Sequence, residues 1–223
     1  MPQSAINANK PSSGNRDIVD RLLYPLLSKW VAYIPQFIHP NVLTLGAIIS
    51  AWGAAGIFAF CPAPSAYLYC AVLLLSWIVL DSCDGIHARN TGQCSDFGAF
   101  LDHVGDAFGI FMLHLAFVYR LDIHEPILVG ALLLRQAMNG WVYLIQVHTG
   151  KLYIPSAGWS FEIYTLSALM IAKFFFPDTI FSLGPLPELD IIGNALLFYY
   201  IAVPVSLAEI GIVVYFSRIR KAI

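Results

Sequence analysis

The sequence predicts an all-α integral membrane protein: a bundle of about six transmembrane helices with an N-terminal interfacial amphipathic helix. Three observations carry that prediction. The chain of 223 residues is 58% hydrophobic and only 12% charged, with a mean hydropathy of +0.70, which is too apolar for an ordinary soluble domain. Its apolar residues fall into stretches long enough to cross a bilayer, about 20 residues each, separated by turn residues. Its lysines and arginines gather on one side of the topology that results.

The first element is 17–34, DIVDRLLYPLLSKWVAYI. Ile18, Leu22, Leu26 and Trp30 form an apolar stripe beside Asp17, Arg21 and Lys29, which suits a helix lying in the headgroup region and bent at Pro25. Residues 1–16 are polar and lack an apolar run, so they read as a flexible tail and not as a cleaved signal. The expected spans are 42–60, 66–88, 97–119, 126–147, 160–176 and 191–215. Pro40-Asn41, Pro62 and Pro64, Thr91-Gly92, Glu125-Pro126, Gly150 and the loop PDTIFSLGPLPELD punctuate them. This divides the chain into a tail with its interfacial helix (1–40), a transmembrane domain (41–217) and a short basic tail (218–223). Cys61, Cys70, Cys83 and Cys94 form no CxxC pair and are expected to be buried small residues.

With that topology both termini and the second and fourth loops share a face. That face collects Lys10, Arg16, Arg21, Lys29, Arg89, Lys151, Arg218, Arg220 and Lys221, against Arg120 opposite. Positive residues stay inside, so the termini and the 89–97 loop are expected in the cytoplasm. The formal charge of -2 gives no support to a nucleic-acid partner.

The stretch DSCDGIHARNTGQCSDFGAFLDHVGDAF, 81–108, places carboxylates where lipid depth is expected. Counted from Arg89 and from Gly98, Asp84 and Asp102 form one layer and Asp81 and Asp106 a second, roughly 6 to 12 Å below the interface at 1.5 Å per residue. Asp81 and Asp84 share a helix face, as do Asp102 and Asp106. Two antiparallel helices can thus aim four acids into one site. Arg89 and Arg135 are too few to neutralise them, and intramembrane acids are costly unless functional. A pair of divalent cations is the natural neutraliser, and all-oxygen ligands select Mg²⁺, Mn²⁺ or Ca²⁺ over zinc. A cation or proton pathway is the rival reading. Gly85, small Ala88, Gly98 and Arg89 argue against it, because a diphosphate site wants close backbone approach and a bidentate cation.

The run Asp81-x2-Asp84-Gly85-x2-Ala88-Arg89-x8-Gly98-x3-Asp102-x3-Asp106 resembles, position for position, the signature of the CDP-alcohol phosphotransferases. Asn41 and Thr44 in HPNVLTLGA resemble that family's Pro-Asn-x-x-Thr. The resemblance implies a membrane enzyme, a homodimer, that moves a phosphate-linked group from a CDP-alcohol to a hydroxyl and releases CMP, making 41–217 the catalytic domain. It implies that Asp81, Asp84, Asp102 and Asp106 hold two Mg²⁺ or Mn²⁺ ions. Asn41, Asp84, Gly85, Ala88, Arg89 and Gly98 would lie at the CDP site.

Leu101-Asp102-His103-Val104-Gly105-Asp106 is similar to the Phe-Asp-His-Gly-Cys-Asp of choline and ethanolamine phosphotransferases. That branch implies CDP-choline or CDP-ethanolamine as donor and diacylglycerol or ceramide as acceptor, with His103 or Asp106 as the base. The alternative in the family is a CDP-diacylglycerol enzyme acting on inositol, inositol phosphate, glycerol phosphate or serine; a phosphorylated acceptor would call on Arg135 and Lys151. Glu162 is a candidate for a cationic head group, and His87 for a lining residue. The choline and ethanolamine enzymes of eukaryotes are longer, which implies a compact relative here. The active site is expected to face the cytoplasm, from the endoplasmic reticulum or Golgi in a eukaryote or the inner membrane in a bacterium.

Overall fold

The computed structural model describes residues 18–124, 126–149, 159–177, 180–181, 189–190, 204–212 and 215. Its helices are α1 (Ile18–Val31), α2 (Pro40–Phe60), α3 (Ser65–Thr91), α4 (Asp96–Arg120), α5 (Pro126–Thr149) and α6 (Trp159–Phe175). A two-residue antiparallel pairing of Ile180–Phe181 with Leu189–Asp190 is the other regular element, and 204–212 is helical. Three helices among the described residues, α2, α3 and α4, are long and apolar enough to cross a membrane, so the chain reads as an integral membrane protein. The tails 1–16 and 218–223, Lys151 and most of the expected span 191–215 lie outside the described residues.

Local chemistry sets the helix ends. Pro40 opens α2, where a missing N–H costs nothing, and the His39 ring accepts the Asn41 N–H at 3.2 Å. Gly92, at φ +68, ends α3 in the left-handed conformation, and its N–H and that of Gln93 both reach the Ala88 carbonyl. Three residues later Ser95 caps α4 by accepting the Gly98 N–H at 3.0 Å. The turn between α3 and α4 is therefore short and reverses the chain, and α2 packs against both helices. At the far end, Arg120 donates to the carbonyls of Phe58 (3.3 Å) and Cys61 (2.6 Å), satisfying the open end of α2.

Small residues bring these helices close. Ala47, Ala51 and Ala54 of α2 pack with Cys70, Leu74 and Trp77 of α3, with Ile110, Leu113 and Phe117 of α4, and with Ile163, Leu166 and Met170 of α6. A methyl group at Gly105 would stand 2.5 Å from the Ile48 side chain, which would have to shift to admit it, so α4 meets α2 closely there. Phe58 and Phe117 stack edge to face at 5.1 Å, worth about 1 kcal/mol beyond their burial.

Helix α1 departs from the expected one-sided design. Its stripe of Leu22, Leu26 and Trp30 is exposed, while Leu27 and Val31 are buried against Cys83 and Ile86 of α3. The helix has two apolar faces because it packs on the bundle with one and leaves the other open. Pro25 sits inside it. The connection to α2 is pinned to α3: His87 Nε2 meets the Ile38 carbonyl at 2.8 Å, and Gln93 donates to the Gln36 carbonyl at 2.9 Å. The cysteines divide: Cys70 and Cys83 are buried as expected, whereas Cys61 is half-buried and Cys94 is exposed, because it falls in the α3–α4 turn.

Candidate active site

The site lies where the start of α2, the end of α3 and the start of α4 converge. Asp81 of α3 and Asp102 and Asp106 of α4 each bring a carboxylate oxygen within 4.8 Å of the others. That spacing follows from helix periodicity, since Asp102 and Asp106 are one turn apart and face the same neighbour. Asp84, the fourth expected ligand, stands outside this triangle and accepts a hydrogen bond from the Thr44 hydroxyl of α2. Asp84 and Asp106 are buried; Asp81 and Asp102 are half-buried, so the cluster is wetter on one side.

Three carboxylates this close repel one another strongly unless a cation or a shared proton lies among them. Their donor set is all oxygen, and their spacing lets each offer one ligand atom to a shared ion. They fit a hard divalent cation such as Mg²⁺ or Mn²⁺.

Each remaining expected residue has a definite place. The Arg89 guanidinium folds back over Gly85, where an added methyl would lie 3.3 Å from Nη1. The sequence suggests that Gly85 clears room for a ligand; in the fold it clears the path of Arg89. An added methyl at Gly98 would lie 3.0 Å from Asn41 Oδ1, so this glycine seats the Asn41 amide against the first turn of α4. Ala88 is half-buried, and its carbonyl accepts the N–H groups that end α3. His103 Nδ1 lies 3.2 Å from Asp102 Oδ2, with both side chains about one-third exposed. His87, expected to line the site, is buried with its ring turned onto the Ile38 carbonyl.

Two other expectations meet a different arrangement. Arg135 of α5 donates to Glu162 of α6 through Nε (2.8 Å) and Nη2 (2.7 Å). His114 of α4 approaches the other Glu162 oxygen at 3.3 Å. The three are buried together, so Arg135 is committed to Glu162 and not to a phosphorylated acceptor, and Glu162 to Arg135 and not to a cationic head group. Trp77 joins the site with no warning in the sequence. Its indole Nε1 lies 3.1 Å from Asp106 Oδ1, and one tryptophan among several in a membrane sequence gives no sign of such a role.

Comparison with known proteins finds relatives that match about half of this chain. Rat cholinephosphotransferase 1 is 33% identical over 113 residues, covering 47% of this chain and 28% of the rat protein. Cholinephosphotransferase 1 of Xenopus laevis is 26% identical over 117 residues, 49% of this chain and 29% of the frog protein. A CDP-diacylglycerol–serine O-phosphatidyltransferase of Encephalitozoon cuniculi is 31% identical over 111 residues, 47% of this chain and 29% of that protein. The chain thus spans under a third of these relatives. A family model described as CDP-alcohol phosphatidyltransferase matches residues 37–208, from the turn before α2 through both carboxylate helices and past α6, and on that match the chain belongs to the CDP-alcohol phosphatidyltransferase family.

Proposed function

We propose that this protein transfers phosphocholine or phosphoethanolamine from CDP-choline or CDP-ethanolamine to the hydroxyl of a neutral lipid, diacylglycerol or ceramide, releasing CMP in phospholipid biosynthesis. The convergence of Asp81, Asp102 and Asp106 within 4.8 Å carries this reading, with His103 bonded to Asp102 beside it. Asp81, Asp84, Asp102 and Asp106 would hold two Mg²⁺ or Mn²⁺ ions, which supply charge neutralisation at the diphosphate and its leaving group.

The chain's own residues do the rest. Arg89, folded toward the site over Gly85, grips the diphosphate, and Asn41, Ala88 and Gly98 line the CDP side. Because Nδ1 of His103 faces the Asp102 carboxylate, the proton-accepting position is Nε2. The lipid hydroxyl gives its proton to His103 Nε2, and its oxygen bonds to the phosphorus bearing the alcohol. On the opposite side the bond to the bridging oxygen breaks, and that oxygen leaves with CMP. Asp106 would help to hold the metals and would orient the attacking hydroxyl. Positioning and electrostatics supply most of such a barrier reduction, so no covalent nucleophile is needed.

The same reading places six spans in the bilayer, with the exposed Leu22, Leu26 and Trp30 of α1 facing lipid at the cytoplasmic surface and the protein working as a homodimer. The commitment of Arg135 to Glu162 supports a neutral acceptor over a phosphorylated one. The match to a serine phosphatidyltransferase favours a second reading, CDP-diacylglycerol with a soluble alcohol such as serine.

The test is CMP release by purified protein with Mn²⁺ or Mg²⁺, pairing CDP-choline, CDP-ethanolamine and CDP-diacylglycerol with diacylglycerol, ceramide, serine and inositol. Release with CDP-choline or CDP-ethanolamine that needs a neutral lipid and is lost in Asp102→Asn is the expected result. Release only with CDP-diacylglycerol selects the second reading. Ion flux without CMP in any pairing returns the site to a cation pathway.

A further inference from the structure

Trp77 precedes Asp81 by one turn of α3, so the indole lies on the helix face that carries the metal-layer carboxylate. It is almost wholly buried, 3% exposed, and its Nε1 donates to Asp106 Oδ1 at 3.1 Å. The opposite helix is cut to receive it. An added methyl at Gly109 would stand 2.9 Å from Cζ2 of this indole and 3.0 Å from Ala51 of α2. Three helices thus combine to lead one N–H to one oxygen of Asp106. Hydrophobic filling accounts for a ring at this place but not for the aim of its only polar atom.

The identity of the donor matters. An indole N–H donates and cannot accept, bind a metal or carry charge. A lysine or arginine here would hold the carboxylate equally well, yet would cancel the negative charge that attracts a cation. A neutral donor orients the carboxylate and leaves its charge in place, and hydrogen bonds to ligating carboxylates commonly serve this purpose.

We infer that Trp77, seated in the Gly109 notch, is a positioning residue that holds Asp106 in the orientation needed to join Asp81 and Asp102 around a divalent cation. The inference rests on the metal-site reading of the proposed function.

It is tested in the full-length protein by replacing Trp77 with 3-benzothienylalanine, which keeps the bicyclic shape and lacks the N–H, and separately by Trp77→Phe and Gly109→Ala. Mn²⁺ binding is read without nucleotide, from the loss of the free-ion electron paramagnetic resonance signal, beside CMP release and the melting midpoint in chelator. The expected result is Mn²⁺ binding about 10- to 100-fold weaker in the isosteric variant, with its midpoint in chelator unchanged. Gly109→Ala should weaken binding as well, and should add little on top of Trp77→Phe, because both break the same contact. Wild-type Mn²⁺ affinity in the benzothienyl variant overturns the positioning role while leaving the metal site standing. If the wild-type protein itself binds no Mn²⁺, or binds it as tightly with Asp81→Asn, the metal-site reading falls and this inference falls with it.

Discussion

Two clusters of charge lie in the same helix bundle, about 12 Å apart along α4 at 1.5 Å per residue, and they are built on opposite principles. Asp81, Asp102 and Asp106 bring like charges together at one end of the bundle, partly open. His114, Glu162 and Arg135 bring opposite charges together deeper in it, sealed from all sides. The second cluster is electrically closed and ties α4, α5 and α6 to one another. The first is electrically open, and a cation among its carboxylates would close it. Charge inside a bundle that is neutralised by its own partners reads as architecture; charge left uncompensated reads as a place for a ligand.

Breaking each cluster should therefore give opposite signatures. The largest effect is expected from Asp102→Asn, which should lower CMP release by about 10³-fold, or roughly 4 kcal/mol of barrier. Its melting midpoint in chelator should hold or rise, since one member of a repelling set is gone. A midpoint that drops sharply would show that these carboxylates hold the fold together.

Glu162→Gln should do the reverse. It leaves Arg135 buried without its counter-charge, at a cost of about 3 to 5 kcal/mol of stability in denaturant unfolding. The molecules that remain folded should keep near-normal turnover. Replacing Arg135 and Glu162 together by Met and Leu should recover most of the loss, because buried pairs are often no better than apolar residues of similar size.

The open cluster should also respond to its ligands. Mn²⁺ with CDP-choline at about 100 times its dissociation constant should stabilise the protein by about 2.7 kcal/mol, seen as a raised melting midpoint that a chelator abolishes. Asp81→Asn should remove the shift, and Glu162→Gln should retain it.

Thr44→Val sharpens the contrast on a smaller scale. It removes the hydroxyl that holds Asp84, worth about 1.5 to 3 kcal/mol for a bond to a charged group. Roughly ten-fold weaker CDP-alcohol binding is expected, measured as KM, with a loss in denaturant unfolding no larger than that bond and smaller than that of Glu162→Gln. At the bottom of the scale, Cys94→Ser should change neither activity nor stability beyond about 0.5 kcal/mol, because Cys94 is exposed and lies outside both clusters.

Legibility in the sequence differs by feature. The acidic layer is legible because helix geometry is periodic: three- and four-residue spacings place Asp81 with Asp84 and Asp102 with Asp106. The end of α3 is legible at Thr91-Gly92, where glycine leaves a local mark. The apolar stripe on α1 is legible as a stripe, but its second apolar face is not. Leu27 and Val31 look alike in a sequence whether they meet lipid or α3.

The amino-acid order alone marked Asp81, Asp102 and Asp106 as a group, because spacing along a helix is local and a charged residue in an apolar run stands out. Only the tertiary structure decided the partners. It separated Asp84 onto Thr44, paired Arg135 with Glu162 and laid the Trp77 indole against Asp106 in the space left by Gly109. Each of those contacts joins residues far apart in the chain whose meeting depends on how closely helices approach, and that distance is set by side-chain packing across the bundle, which no single stretch of sequence records.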